Sequence, residues 1–245
     1  MIATYSSDIR HFQESLQHYV GEIFKCSANE LILRLEQLNL LNNNQNCLES
    51  STAFGFIIEE FLVSKLDDYT LGHDGKNGYR VQRAPNAVTH SSFDCVSEIR
   101  NGIRALVNLK IGRSDGPSND GVAAIQQLYH DYVETDPDVP KCFLLLKVEY
   151  SFCQSIRNGS KGERAVSIKD VNSYFLDEVD LSIEHLQDNR KWSKNGGSAN
   201  SGRLKITDAF RKRHTLPDSA LSYDNTVSML KAVYQRNVEK DKTAR

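Results

Sequence analysis

The stretch SFDCVSEIRNGIRALVNLKIG at 92–112 carries the most informative structural pattern in the chain. Its Asn-Gly pair at 101–102 is a hairpin-turn dipeptide between two runs that resemble strands. From Ile103 to Ile111 apolar and polar residues alternate, with Leu106 as the exception. A period of two is the pattern of a strand with one buried face and one polar face. The stretch therefore predicts a β-hairpin with a polar face.

The hairpin can pair in two registers, and the register sets the direction of Asp94. A two-residue turn at 101–102 puts Asp94 opposite Leu109, on the apolar side. A three-residue turn at 100–102, with its glycine in a left-handed bulge, puts Asp94 opposite Asn108 instead. A slip of one residue turns every side chain to the other face, so the two registers predict different sites.

Cross-strand pairing favours the three-residue turn. This turn pairs Ile99 with Ile103, apolar with apolar, and Glu98 with Arg104, acid with base. Directly opposed side chains of these kinds stabilise a sheet, whereas mismatched pairs do not. We therefore predict this register.

A carboxylate and a lysine on one face of a rigid hairpin are suited to phosphodiester hydrolysis. In the favoured register Asp94, Asn108 and Lys110 share the polar face. Hydrolysis of a phosphodiester uses a divalent metal ion to activate water and to neutralise charge on the phosphate. Mg²⁺ is typically held by one or two protein carboxylates, and a nearby lysine can stabilise the transition state. The hairpin thus predicts a metal-dependent hydrolytic site.

Periodic patterns around the hairpin predict further helices and strands. We predict helices at 8–41, 53–67, 121–134 and 219–240. We predict strands within 78–84, at 141–152 and within 164–180, besides the two of the hairpin. Residues 118–120 are predicted to cap the helix at 121–134. The Gly/Ser/Asn-rich segment 193–202 is typical of a loop.

Length and composition indicate an ordinary globular protein. The chain has 245 residues, of which 39% are hydrophobic and 25% charged, which fits a single domain over 1–245. No apolar run is long enough to span a membrane, and no signal peptide is evident, so we expect a cytoplasmic protein. The five widely spaced cysteines predict reduced thiols rather than a zinc site.

The order helix–strand–strand–strand–helix–strand over roughly 53–152 resembles the PD-(D/E)xK nuclease superfamily. Asp94 falls on the second strand and Lys110 on the third, as in that family, whose best-known members are type II restriction endonucleases. The resemblance implies an α/β, restriction-endonuclease-like mixed central sheet flanked by helices, here with additional N- and C-terminal helices. It also implies Mg²⁺-dependent hydrolysis of DNA, with Asp94 and Lys110 at the catalytic centre.

The chain departs from the family pattern at the second acid. The family's third strand carries Asp or Glu two residues before the lysine, where this chain has Asn108, and Phe93 stands where the family has proline. An amide oxygen can ligate Mg²⁺, but it brings no negative charge. Asn108 therefore leaves two possibilities open: it is a metal ligand, or it marks the loss of activity.

The missing negative charge has three candidate sources. The family often carries a glutamate on its first helix, which implies Glu59, because Glu59 shares a helix face with Gly55 and Leu62. Glu60 is the alternative on the same helix. Glu98 also lies on the polar face of the hairpin, although as a cross-strand partner of Arg104. The predicted metal ligands are Asp94, Asn108 and Glu59, and these with Lys110 form the predicted catalytic site.

Basic residues are concentrated in one segment, although the net charge of the whole chain is −2. The segment 188–214 holds eight lysines and arginines against two aspartates. Such side chains can neutralise DNA phosphates and bind base edges. SGRLKI at 201–206 is typical of a strand start. The residues expected to contact DNA are Lys191, Lys194, Asn200, Arg203, Lys205, Arg211, Lys212 and Arg213.

The sequence leads to a principal functional hypothesis and two alternatives. The principal one is a type II restriction endonuclease acting on double-stranded DNA as a homodimer, because two-fold symmetry matches a palindromic site. The helical ends 8–41 and 219–240 are the predicted dimer surfaces. A repair or recombination nuclease is the second hypothesis. The third, favoured by Asn108, is a non-catalytic DNA-binding protein that keeps the nuclease fold.

Overall fold

The structure is a computed structural model that describes residues 2–25, 30–31, 51–74, 76–85, 91–115, 121–157, 160–176, 203–205 and 223–243. The helices there are α1 (Ile2–Lys25), α2 (Ser51–Tyr69), α3 (Ile125–Tyr129), which a π turn continues over His130–Glu134, and α4 (Tyr223–Thr243). The strands are β1 (Glu30–Leu31), β2 (Gln82–Arg83), β3 (Cys95–Glu98), β4 (Arg104–Arg113), β5 (Gly121–Ala124), β6 (Lys141–Arg157), β7 (Ser160–Phe175) and β8 (Arg203–Lys205).

Six strands form a mixed sheet in the order β1-β7-β6-β4-β3-β2. The central pair, β4 and β6, is parallel, and the other neighbours are antiparallel. The parallel pair requires a crossover, which includes α3. Strands β5 and β8 form a separate antiparallel pair. The predicted fold class, a mixed sheet flanked by helices with further helices at both ends, is confirmed.

The hairpin between β3 and β4 has the predicted three-residue turn. Arg104 lies opposite Glu98 in the ladder, and Ile99 N donates to the carbonyl of Ile103 at 2.8 Å. Within the turn both Asn101 and Gly102 are left-handed, with φ of 59° and 70°. Asparagine and glycine tolerate this conformation better than other residues, which is why the turn closes here. The predicted register is confirmed.

The two faces of the sheet are covered differently. Helices α1 and α2 cover one face, where alternate residues of β4 and β6, from Ala105 to Val148, are buried in a continuous apolar core. Among the described residues, helices α3 and α4 pack on the first part of the other face, where Leu128, Leu230 and Leu106 belong to one apolar cluster. Further along this second face, β4 and β6 carry polar side chains instead. The candidate site lies in this second part.

Helix α1 does not have the extent predicted for it. It runs from Ile2 to Lys25, and residues 30–31, predicted as helix, are a strand in which Leu31 pairs with Val166 of β7. Pairing with a distant strand edge outweighs the local helical pattern here. The remainder of the predicted helix, 26–29 and 32–41, lies outside the described residues.

The helix predicted at 121–134 is also wrong in part. Residues 121–124 form β5, and the helix begins only at Ile125. Gly121 pairs with Lys205 and Ala124 with Arg203, so a partner far along the chain decides the conformation of this segment. The predicted capping residues, 118–120, lie outside the described part of the chain.

The apolar stripes of the two terminal helices pack within the chain. On α1, Phe12 and Leu16 are fully buried in the main core. On α4, Leu230 is buried against α3, and the ring of Tyr234 stacks on Tyr129 at 4.2 Å. The apolar stripes of these helices are therefore used within the chain, and dimerisation through the helical ends remains a prediction. None of the helices in the described ranges is long and apolar enough to cross a membrane.

Candidate active site

The residue before β3, Asp94, is fixed by main-chain bonds on both sides. Its N–H donates to the carbonyl of Val107 at 2.8 Å, and its carbonyl accepts from the N–H of Ala84 at 2.9 Å. Its carboxylate Oδ2 accepts hydrogen bonds from Leu109 N at 2.6 Å and from Asn108 Nδ2 at 3.3 Å. The hairpin therefore brings Asp94 and Asn108 into direct contact, as the register predicts.

The side chain of Asn108 is buried, with 6% exposure, and its orientation is determined by its neighbours. Its Nδ2 donates to the carbonyl of Ser92 at 2.9 Å as well as to Asp94. Both neighbours are acceptors, so only the NH₂ end of the amide can face them. Oδ1 consequently points elsewhere and has no hydrogen-bond partner among the described residues. A buried oxygen of this kind is suited to a cation or a water molecule.

A chain of hydrogen bonds from α3 supports this arrangement. Gln127 Nε2 donates to Asp131 Oδ1 at 2.9 Å, and Asp131 Oδ2 accepts from Ser92 N at 2.6 Å. Ser92 in turn accepts from Asn108. Asp131 lies in the π turn that continues α3, and π turns occur frequently at functional sites. The helix beyond β4 therefore positions the amide next to Asp94.

Glu59 projects from α2 towards the same group. The position of a Cβ on Gly55, one turn earlier, would lie 3.7 Å from the carbonyl of Ile111, so this helix face lies against β4. Burial, and then the charge of Asp94, raise the pKa of Glu59 to about 7, whereas Lys110 acts to lower it. Burial likewise raises the pKa of Asp94, opposed by Leu109 N–H and by Lys110. Two acids and a lysine thus lie within electrostatic reach of each other.

The two alternative acids are held by arginines. The carboxylate of Glu60 binds both terminal nitrogens of Arg83, at 2.9 and 3.3 Å. Glu98 is 59% exposed, and its Oε1 lies 2.6 Å from Arg104 Nε. The prediction that Glu98 is a cross-strand partner of Arg104 is confirmed. Glu59, by contrast, lies within electrostatic reach of both Asp94 and Lys110.

The oxygen atoms of this group fit Mg²⁺. Asp94, Glu59 and Asn108 offer two carboxyl groups and one buried amide oxygen without a donor, and hard oxygen ligands are those that Mg²⁺ prefers. Within the described ranges no group of three or more His, Cys, Asp or Glu side chains is placed to hold a metal ion. Two carboxylates are nevertheless sufficient, because Mg²⁺ usually keeps several waters.

Lys147 and Glu149 extend the polar face, and the sequence reasoning did not identify them. Lys147 pairs with Lys110 in the parallel ladder, and its Nζ lies 2.8 Å from the carboxylate of Glu149. Neighbouring like charges destabilise a sheet, so the carboxylate offsets the proximity of the two lysines. A signal was present, because these charges interrupt the apolar run of 141–152 at two-residue spacing, on one face of the strand.

Two of the eight predicted DNA-contacting residues belong to the described part of the chain. Lys191, Lys194, Asn200, Arg211, Lys212 and Arg213 lie outside the described residues. Arg203 and Lys205 belong to β8, which confirms a strand start at this point. Their strand pairs with β5, directly before α3, and their contact with DNA remains a prediction.

Comparison with solved structures gives a likeness of the fold, whereas the sequence comparisons find no match. No protein-family model and no curated protein sequence matches the chain. A solved structure named NlaIV restriction endonuclease is 14% identical, covers 80% of this chain and 77% of its own, and gives a TM-score of 0.37. A likeness at this level carries no argument about activity, so the case for a function must come from the site.

Proposed function

We propose that the chain is a Mg²⁺-dependent endodeoxyribonuclease of the type II restriction type, which hydrolyses phosphodiester bonds in double-stranded DNA. The observation that carries this proposal is the hairpin register, because it places Asp94 and Asn108 in contact on the face that also holds Lys110. The carboxyl group of Glu59 lies close enough to interact with both charged groups.

Each of the four residues has a distinct role in the proposed reaction. Asp94, Glu59 and the Oδ1 of Asn108 are the groups that would hold Mg²⁺. Bound there, the ion would activate water and neutralise charge on the phosphate. The ammonium group of Lys110 would stabilise the additional negative charge of the transition state.

The raised pKa of Glu59 would couple the binding of metal at this site to the release of a proton. Burial, and then the charge of Asp94, raise the pKa of Glu59 to about 7, so Glu59 holds its proton at the lower end of the neutral range. A ligating carboxyl group must be deprotonated, so binding of Mg²⁺ is coupled to release of that proton. The Asn108 amide does not add a third charge to this repulsion.

The direct test is incubation of the purified protein with phage DNA and Mg²⁺, followed by electrophoresis. Discrete bands would support a restriction endonuclease, whereas a smear would support the less specific repair or recombination nuclease. The Lys110→Ala protein is the negative control. Arg104→Gln is the matched control, because it removes a charge from the same strand and the same face at the opposite end of the hairpin.

The second candidate function is a DNA-binding protein without catalytic activity. The hydrogen bonds of Asn108 favour this function, because its NH₂ group is bound by Ser92 and Asp94 at the position where the PD-(D/E)xK family carries an acid. Binding of DNA in a gel-shift assay, without cutting in Mg²⁺ or Mn²⁺, would establish this function instead.

We also propose that the protein acts as a homodimer, because a palindromic DNA site is matched by two-fold symmetry. Sedimentation of the purified chain across a range of concentrations measures this directly. A monomer at every concentration, with or without DNA, would contradict it.

A further inference from the structure

Arg83 lies at the edge of the candidate site and has no role in the proposed chemistry. Its strand β2 pairs with β3, with Arg83 opposite Cys95. The next residue, Ala84, donates its N–H to the carbonyl of Asp94. The backbone therefore fixes Arg83 next to Asp94, on the outer strand of the sheet, with 40% of its side chain exposed.

The guanidinium group of Arg83 is held in a defined position by Glu60. Both of its terminal nitrogens face the carboxylate, at 2.9 and 3.3 Å. An exposed ion pair of this kind contributes only about 0–1 kcal/mol to stability. The two-pronged arrangement nevertheless matters, because the planar group that fits a carboxylate also fits a phosphate.

Charges of both signs lie around Asp94 at this edge. Asp94, Glu59 and Glu60 carry up to three negative charges, whereas Arg83 and Lys110 supply two positive ones. Arg83 and Glu60 both lie close enough to act on Asp94, in opposite directions. A DNA strand that approaches Asp94 from the side of β2 brings further negative charge, and Arg83 is the basic group placed there to receive it.

We propose that Arg83 binds a backbone phosphate of the DNA next to the candidate site, and that Glu60 holds its guanidinium group until a phosphate replaces the carboxylate. This inference rests on the proposed nuclease function, because it assumes that DNA lies across Asp94 and Lys110. Arg83 is in this view a substrate-positioning residue, and Glu60 a competitor of the substrate rather than a metal ligand.

Arg80 provides a natural comparison within the same segment. It also pairs with an acid of α2, Asp67. In addition it donates to the main-chain carbonyls of Asp67 and Val81 and, at 3.1 Å, to Thr70 Oγ1. With 25% exposure it is the more enclosed of the two arginines. Arg80 therefore attaches the segment to the end of α2, and both of its terminal nitrogens already donate to protein acceptors.

The salt dependence of DNA binding distinguishes a phosphate contact from a structural ion pair. A short fluorescein-labelled DNA duplex would be titrated with the full-length protein at several salt concentrations, with Ca²⁺ in place of Mg²⁺ so that no cutting occurs. Arg83→Gln should reduce the slope of log K against log salt by about 0.9, the value for one phosphate contact. Arg83→Lys should keep the slope and weaken binding. The positive charge remains, but an ammonium group cannot donate the two parallel hydrogen bonds of a guanidinium group.

Two further variants separate competition by Glu60 from a general charge effect. Glu60→Gln should tighten binding in the wild-type background and have a clearly smaller effect in the Arg83→Gln background. Arg80→Gln should lower the melting temperature and leave the slope unchanged. Equal effects of Glu60→Gln in the two backgrounds would contradict the exchange.

Different results would overturn the phosphate contact of Arg83 and the nuclease function. A folded Arg83→Gln protein with the wild-type salt slope overturns the inference, even if the wild type cuts DNA. A wild type that binds the duplex but cuts in no metal overturns the nuclease function, and a reduced slope for Arg83→Gln would still support the phosphate contact.

Discussion

The two ends of the β3–β4 hairpin carry the same kinds of side chain in opposite situations. At the turn, Arg104 is bound by Glu98 at 2.6 Å and also by Asp136, so a cation lies between two acids. At the opposite, open end of the hairpin, where β3 begins after Asp94, the carboxyl groups of Asp94 and Glu59 lie near each other. Burial together with neighbouring negative charge raises the pKa of each.

The two ends differ in how far water and neighbouring side chains stabilise their acids. The acids of the turn are more than half exposed, so that both water and Arg104 satisfy them. The acids of the open end are partly buried, and Asn108 beside them has an oxygen without a donor in the described structure. A protein selected for stability alone would not keep this arrangement, and such perturbed groups are concentrated at functional sites. We therefore expect the turn to have a structural role and the open end to be the reactive part of the hairpin.

The largest effect is expected from Lys110→Ala. Removal of a group that stabilises charge in the transition state typically costs about 10²–10³-fold in rate, so cleavage of DNA should fall by at least that factor while binding persists. The rate of cleavage of a defined duplex, measured beside its binding affinity, tests this. If the variant cut at the wild-type rate, the open end would be no more catalytic than the turn.

Asn108→Asp tests the open end by adding a third carboxylate beside Asp94 and Glu59. The variant loses the bond to Ser92 and places a carboxylate against Asp94, so without metal we expect a loss of about 1–3 kcal/mol in stability. Mg²⁺ should then raise its melting temperature more than it raises that of the wild type, because a third charged ligand strengthens binding. Thermal melts with and without Mg²⁺ measure both effects, and equal metal-induced shifts in the two proteins would exclude residue 108 as a ligand.

The hairpin could be predicted from the sequence because its determinants are local. Alternation marked the strands, Asn101-Gly102 marked the turn, and the match of Glu98 with Arg104 selected the register. The choice of Glu59 over Glu60 rested on helical periodicity, after the family resemblance had implied an acid on this helix. In each case the residues that decide the conformation lie within a few turns or strand positions of each other.

Features that depend on distant partners were not predictable in the same way. Strands β1 and β5 exist because they pair with β7 and β8, and each was predicted to be helical. The orientation of the Asn108 amide depends on Ser92, which Asp131 holds from beyond the crossover. The sequence could thus indicate which side chains share a face, but not which of their atoms remain without partners.

The pH dependence of stability tests the open end without any cleavage assay. The pKa of Glu59 in the folded state, about 7, exceeds its ordinary value of 4.5, so the folded protein holds this proton more tightly than the unfolded chain. The contribution of protonated Glu59 to stability without metal should therefore be fully present below pH 4.5 and should be lost as the pH rises through about 7. Denaturant titrations of the wild type and of Glu59→Gln measure the difference, which should vanish if Glu59 titrates normally.

The smallest effect is expected at the turn, from Arg104→Gln. Ion pairs exposed to solvent contribute about 0–1 kcal/mol, so the variant should lose no more than this per acid, and added salt should reduce the loss further. A double-mutant cycle with Glu98→Gln isolates the coupling, and the cleavage rate should remain at the wild-type value. A strong, salt-resistant coupling or a slower cleavage would mean that the turn contributes to the site. The contrast between a compensated end and a reactive end would then have to be replaced by a single network along the whole hairpin.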